Sequence, residues 1–217
     1  PSKPGELARG GKLQALRGCD RHGLDTTNWD EAQVAPGQPL AVDWIDLDQP
    51  ESPEDDLRHQ GRSKGAASFT RGEGIWAADG TIWFCCTDGG RREKGQIWRY
   101  RPSPEEGTPG EAKSPGMLDL FVEPDASSVL ENCDNLTSTP WGHLILCEDG
   151  PGGNFLEGVT PQGKIYRLAR NSLNSIELAG AVLAPDRSAF FVNIQHPGLT
   201  LAIFPPGPRW EPPPAYP

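Results

Sequence analysis

The sequence is poor in the signals that mark membrane proteins, nucleic-acid binders and the commoner hydrolases. No apolar run approaches the ~18 residues that a membrane-crossing helix needs. The chain opens on Pro1, with no charged-then-apolar leader. That beginning reads as a processed protein, a trimmed piece or a fragment. Basic residues are the minority, with 20 Lys and Arg against 30 Asp and Glu and a formal net charge of −10. A phosphate backbone needs a basic face, so a nucleic-acid partner is excluded. The 5 cysteines form no CxxC pair, which argues against a zinc ribbon, and an odd number is no disulfide framework. Cys85, Cys86, Cys133 and Cys147 lie in or beside apolar runs and read as small buried hydrophobes. The 4 histidines show neither HxH nor HExxH spacing and read as structural or surface residues. There is no GxSxG element and no phosphate-cradling glycine loop.

What is abundant is Gly, with 26 residues, and Pro, with 23. Both interrupt helices and mark turns, which excludes an architecture of long helices. GKLQAL (11–16) and AVDWIDL (41–47) read as strands, and the polar stretch 48–65, with its acidic run Glu51 to Asp56, as a solvated loop. From residue 73 short β-rich runs alternate with turns such as Asp79-Gly80, Gly89-Gly90 and Pro185-Asp186. Strands at this spacing predict an all-β sandwich, barrel or propeller.

An internal repeat selects the propeller. GIWAADGTIWFCCTDGG aligns with NLTSTPWGHLILCEDGPGG, each ending on an acidic residue followed by glycine. GQIWRY (95–100) and GKIYRL (163–168) follow in turn, and AGAVLAPDRSAFFVNIQHPG (179–198) is a degenerate third copy. Repeats of ~40–50 residues, each of about four strands, are the mark of propeller blades. The longer first interval fits an inserted loop, Pro102 to Pro115. The expected organisation is an irregular segment with part of a blade (1–65), propeller blades (66–204) and a Pro-rich tail leaving the fold (205–217). That makes three to four blades of a ring, with the flanks of the first and last blades exposed.

In a propeller the innermost strands converge on the axis. The repeat alignment puts Glu73, Asp134 and Glu177 at one equivalent position, projecting into one space. Carboxylates so close repel unless a cation neutralises them, and oxygen donors favour Ca²⁺, Mg²⁺, Mn²⁺ or Fe³⁺. The alternative for each is a salt bridge on the rim. Glu148-Asp149 is a second acidic pair expected near the same mouth. Arg71, two residues before Glu73, shares its face on a strand. It is either a fork for a phosphate or carboxylate ligand or simply the ion-pair partner of Glu73.

RGEGIWAADGTIWFCCTDGG, KGQIWRY, CDNLTSTPWGHLILCEDG, GKIYRLARN and FFVNIQHPGLTLAI together resemble the PhoX-type alkaline phosphatases. The resemblance covers roughly 63–204, and 11–62 more loosely; FVNIQHPG after ELAG is its most specific part. It implies a six-bladed propeller, a cluster of Fe³⁺ and Ca²⁺ at the axis, hydrolysis of phosphomonoesters, and a periplasmic or secreted location. By motif, Arg71 looks like the phosphate-binding arginine, Glu73 and Asp134 like iron-ligating carboxylates, and Glu148 and Glu177 like further metal positions. The chain departs from the family at Gly72, where Pro is common, and at Cys133, where Ala or Pro is usual. The family's iron-bridging cysteine and further carboxylates belong to an N-terminal half without a match here. The chain thus resembles the C-terminal half, inactive in isolation. Two other readings compete: a Ca²⁺-dependent lactonase or phosphotriesterase on a similar propeller, and a non-catalytic propeller fragment.

Overall fold

Runs that are apolar on consecutive residues become strands with a core on each face. TIWFCC is such a run. In the computed structural model, which describes residues 6–212, it forms β4 (Thr81–Cys86) in the middle of a sheet. Trp83 and Cys85 turn to one core, and Ile82, Phe84 and Cys86 to another. In strand numbering along the chain, β1 spans Gln14–Gly18, β2 Pro39–Asp46, β3 Gly72–Ala78, β5 Gln96–Arg101 and β6 Gly116–Val122. Together with β4 they make one antiparallel sheet in the order β1-β2-β6-β5-β4-β3. A second sheet runs β10-β9-β8-β7, from β7 (Cys133–Ser138) through β8 (Leu144–Glu148) and β9 (Phe155–Val159) to β10 (Ile165–Arg170). The third holds β11 (Leu178–Leu183), β12 (Phe190–Ile194) and β13 (Leu199–Ile203).

These are three successive blades of an all-β propeller. Their innermost strands stand side by side, with β7 between β3 and β11. Leu136, Leu144, Leu146 and Val159 of the second blade meet Cys85 and Ile97 of the first. On the second blade's other side, Ile145, Cys147 and Leu156 meet Phe190, Val192 and Ile194 of the third. The β3–β4 hairpin turns on Asp79 and Gly80, at φ 50° and 71°. Two positive φ angles match the right-handed twist of the flanking strands, and Asp-Gly adopts them at little cost.

Residues 11–65 do not form part of a fourth blade. β2 pairs with β6, Leu40 opposite Leu118, and β1 pairs with β2, so both extend the first blade outward. The chain before β3 also covers that blade's flank. Leu24, Val34, Ala67 and Phe69 pack over Phe84, Cys86, Trp98 and Leu120, with the Phe69 ring edge-on to Phe84 and Trp98 at 5.3 and 5.4 Å. The first flank is therefore closed along its outer strands, although Ile75 on β3 stays exposed. The third blade's flank is open: Val182, Phe191 and Phe204 face outward. Within 48–65 a short helix, α1 (Leu57–Ser63), replaces the expected loop. Asp56 organises its start, accepting from Ser52 Oγ and Gln60 Nε2, and Gly61 lets the helix approach Ala15 and Ala66.

The tail from 205 was expected to leave the fold, but up to residue 212 it turns back onto the third blade. Trp210 N–H donates to Arg187 O at 2.8 Å, and its ring lies edge-on to Phe190 at 5.1 Å. An indole buries enough apolar surface to hold an otherwise extended proline segment. Residues 213–217 lie outside the described residues. No helix among the described residues is long and apolar enough to cross a membrane.

β3 and β7 touch through Gly74. A Cβ there would lie 2.6 Å from Asp134 O and 2.8 Å from Asn135 Cα and Leu136 N, all backbone atoms that cannot turn aside. Gly72, two residues earlier, has open space around it. Gly74→Ala is expected to cost about 1–3 kcal/mol, several degrees in thermal unfolding. Gly72→Ala should stay within about 0.5 kcal/mol of the parent.

Candidate active site

Each inner strand carries the same irregularity near its start. The register advances by one extra residue between Gly72 and Ile75 in β3, between Cys133 and Leu136 in β7, and between Ala179 and Val182 in β11. Such bulges bend a strand and re-aim its side chains. Glu73-Gly74 and Asp134-Asn135 are the bulged pairs of the first two blades, so both carboxylates leave the ladder at the rim of the axis.

At that rim stands Arg71, just ahead of β3, with φ 37°. The left-handed backbone is strained for an arginine and is fixed by Thr87 N–H, which donates to Arg71 O at 3.0 Å. Its guanidinium spans two blades. Nη1 donates to Asp88 Oδ1 and Nη2 to Asp149 Oδ2, both at 3.0 Å, while Nε is 3.9 Å from Glu73 Oε1. Asp134 is buried beside them at 9% exposure. Burial, then the charges of Glu73 and Asp149, push its carboxyl up to about 6, with Arg71 opposing. Glu177 joins from the third blade, pushed up to about 7 by burial first and then by Asp149. Asn135 ties the second blade to the third: its Nδ2 donates to Asp134 Oδ2 at 2.9 Å, and its Oδ1 accepts from Gly180 N–H at 2.7 Å.

The structure thus brings Arg71, Glu73, Asp134 and Glu177 together, but not by the expected equivalence. Asp149 N–H donates to Asn132 O and Gln195 N–H to Glu177 O, as Thr87 does to Arg71. By this pairing Glu177 stands where Arg71 and Asn132 stand, and Ala179 fills the third blade's place of Glu73 and Asp134. Glu148 is separated from the group. Its Oε1 accepts from Glu131 N–H at 2.8 Å and its Oε2 from Phe155 N–H at 3.0 Å. Successive strand residues face opposite ways, so Glu148 points into the interface of the first two blades while Asp149, next in the chain, reaches Arg71. Burial pushes the Glu148 carboxyl up to about 7. Asp149 was expected near this mouth as half of the pair Glu148-Asp149, whereas Asp88 is the residue of the cluster that motif reading passed over. Its signal was the acidic residue before glycine that closes both of the first two repeat copies.

Arg71 bonds to Asp88 and Asp149 and lies 3.9 Å from Glu73, and its charge also opposes the raised carboxyls of Asp134 and Glu177. An oxygen-only donor set with surplus negative charge suits a hard cation. It fits a share of a metal centre rather than a finished cage: among the described residues no three His, Cys, Asp or Glu side chains converge into a ready coordination group. Cys85, Cys86, Cys133 and Cys147 are buried, and burial pushes the Cys147 thiol up to about 12.

The raised Asp134 carboxyl has a definite sign in stability. Its folded value near 6 exceeds the ordinary 3.8, so between them the folded state holds more proton than the unfolded one. Its contribution is present below about pH 4 and is lost as pH rises through about 6. Without added cations, the urea midpoint should fall over that range. Asp134→Asn should flatten the fall and exceed the parent above about pH 6. Glu148→Ala removes the shared acceptor of the part-buried Glu131 and Phe155 N–H groups and should cost about 1–3 kcal/mol. Calorimetric titration with Ca²⁺ should show unchanged affinity in that variant.

No curated protein sequence matches the chain. Among solved structures, Pseudomonas fluorescens PhoX in complex with vanadate, a transition state analogue, is similar with a TM-score of 0.57 and 22% identity. The match covers 86% of this chain and 40% of that one, so the chain spans well under half that protein's length. The family model for alkaline phosphatase PhoX matches residues 2–198, nearly the whole propeller segment and the chain before it. The chain belongs to the PhoX alkaline phosphatase family.

Proposed function

We propose that this chain supplies the phosphate-binding arginine and part of the cation-binding rim of a metal-dependent phosphomonoesterase, within a longer propeller. The observation that carries the reading is Arg71, gripped by carboxylates of two blades beside a buried, unfavourably charged Asp134. Asp88 and Asp149 hold the guanidinium in one orientation, so its fork meets phosphoryl oxygens without first losing side-chain freedom. Charge that develops on those oxygens in the transition state is then met by a preorganised cation. Glu73, Asp134 and Glu177 would hold Ca²⁺ and Fe³⁺. Such ions would neutralise phosphoryl charge and lower the pKa of an attacking oxygen. The PhoX neighbour, solved in complex with vanadate as a transition state analogue, supports a phosphoryl-transfer site in that protein, and export to the periplasm or beyond belongs to the same reading.

The test is hydrolysis of a simple phosphomonoester by the complete protein, supplied with Ca²⁺ and iron. Arg71→Ala is expected to lower kcat/KM by about 10²–10³. Arg71→Lys should not restore it, because an ammonium cannot reproduce the fork. Unchanged rates in Arg71→Ala and Asp134→Ala would overturn the assignment. Elemental analysis separates the competing lactonase or phosphotriesterase reading, which needs Ca²⁺ and no iron.

A further inference from the structure

A large aromatic side chain stands exposed beside the arginine cluster, on a loop built to hold it there. Trp29 is 46% exposed, and its indole Nε1–H donates to Asp88 O at 2.7 Å. The same Asp88 receives Arg71 Nη1 through its carboxylate. One residue therefore anchors both the guanidinium and the indole.

The loop that carries Trp29 is locked from several sides. Asn28, immediately before it, is buried and has φ 57°, the left-handed conformation that asparagine tolerates. Its Oδ1 accepts from Gln33 N–H at 2.8 Å and Val34 N–H at 3.1 Å, and its Nδ2 donates to Val34 O and to Glu123 Oε2, each at 2.8 Å. Thr27 O accepts from Gly90 N–H at 2.8 Å, and Thr26 O accepts from Gln96 Nε2 at 3.0 Å. The loop is thus bonded directly to the turn that carries Asp88. Residues 26–29 serve no strand and no blade interface of their own, yet five hydrogen bonds fix Asn28 and Trp29 alone.

A tryptophan whose N–H is already engaged has only its ring face left to offer. A ring face recognises a planar, apolar partner by stacking. We propose that Trp29 forms a binding platform for a planar aromatic group, carried by a ligand whose phosphoryl end Arg71 holds. This rests on the reading of Arg71 as the phosphate arm and extends it to a substrate class, the aryl-type phosphomonoesters. Trp29 is then a specificity-determining residue. It acts on the organic part of the substrate and leaves the reacting phosphoryl group to the rim.

Binding tests the platform separately from turnover. Phenylphosphonate and methylphosphonate share the anionic head and differ in the ring, and neither is hydrolysed as a phosphomonoester. Their affinities for the complete protein, measured calorimetrically, should favour phenylphosphonate in the parent. Trp29→Ala should cut phenylphosphonate affinity by about five- to tenfold and leave methylphosphonate unchanged. Trp29→Phe, which loses the N–H and keeps a ring face, should retain the preference. Equal losses for both ligands in Trp29→Ala would assign Trp29 to holding Asp88 and overturn the platform, as would an unchanged preference or no binding of phenylphosphonate by the parent. If the phosphonates behave as expected while no phosphomonoester is turned over, the hydrolase reading falls and the platform stands.

Discussion

Everything at the rim depends on three strands being pressed together at one axis. β3 and β7 can come as close as they do because Gly74 has no side chain, so backbone meets backbone at Asp134, Asn135 and Leu136. The bulge in each inner strand then turns side chains out of the ladder where the strands are closest. Convergence gathers carboxylates that would otherwise avoid one another, and Arg71 is the cation that partly compensates them. The strain at Arg71 and the elevated carboxyls of Asp134 and Glu177 follow from the same crowding. In such a site electrostatic cost is stored by packing, and a ligand or metal that relieves it binds more favourably.

The sequence showed the blades because hydrophobic alternation and turn residues repeat with them. GTIWFCC and GHLILCE are runs that only a two-faced core explains, and the structure puts a core on each face of both. Glu73 and Asp134 were legible for the same reason, since they begin equivalent inner strands. Glu177 was placed at the right rim through the wrong equivalence, because the third copy is degenerate and its bulge falls a rung later. Glu148 lies apart from the group because on a strand the neighbour of a rim residue faces the opposite way. Asp88 needed only the repeat, taken one step further along the first copy to the position that Asp149 holds in the second.

Other features were not legible because they depend on distant partners. Nothing near Pro39–Asp46 announces that its partner is β6, far along the chain. Phe69, Leu24 and Val34 look like loop residues until the flank they cover is known. The Trp210 contact is invisible for the same reason, because a proline segment has no pattern that names its docking surface.

The pairing of β2 with β6 also bears on how the molecule is made. Pro39 lies opposite Asp119, so an early strand must await one translated about eighty residues later, on the order of ten seconds at ribosomal speed. The second and third blades consist of hairpins between neighbours and can close as they emerge. The first sheet cannot be completed in order of synthesis. β1 and β2 can pair with each other at once, but the other edge of β2 and the apolar residues that cover the first blade must wait for β6, which makes this segment the one most in need of a chaperone.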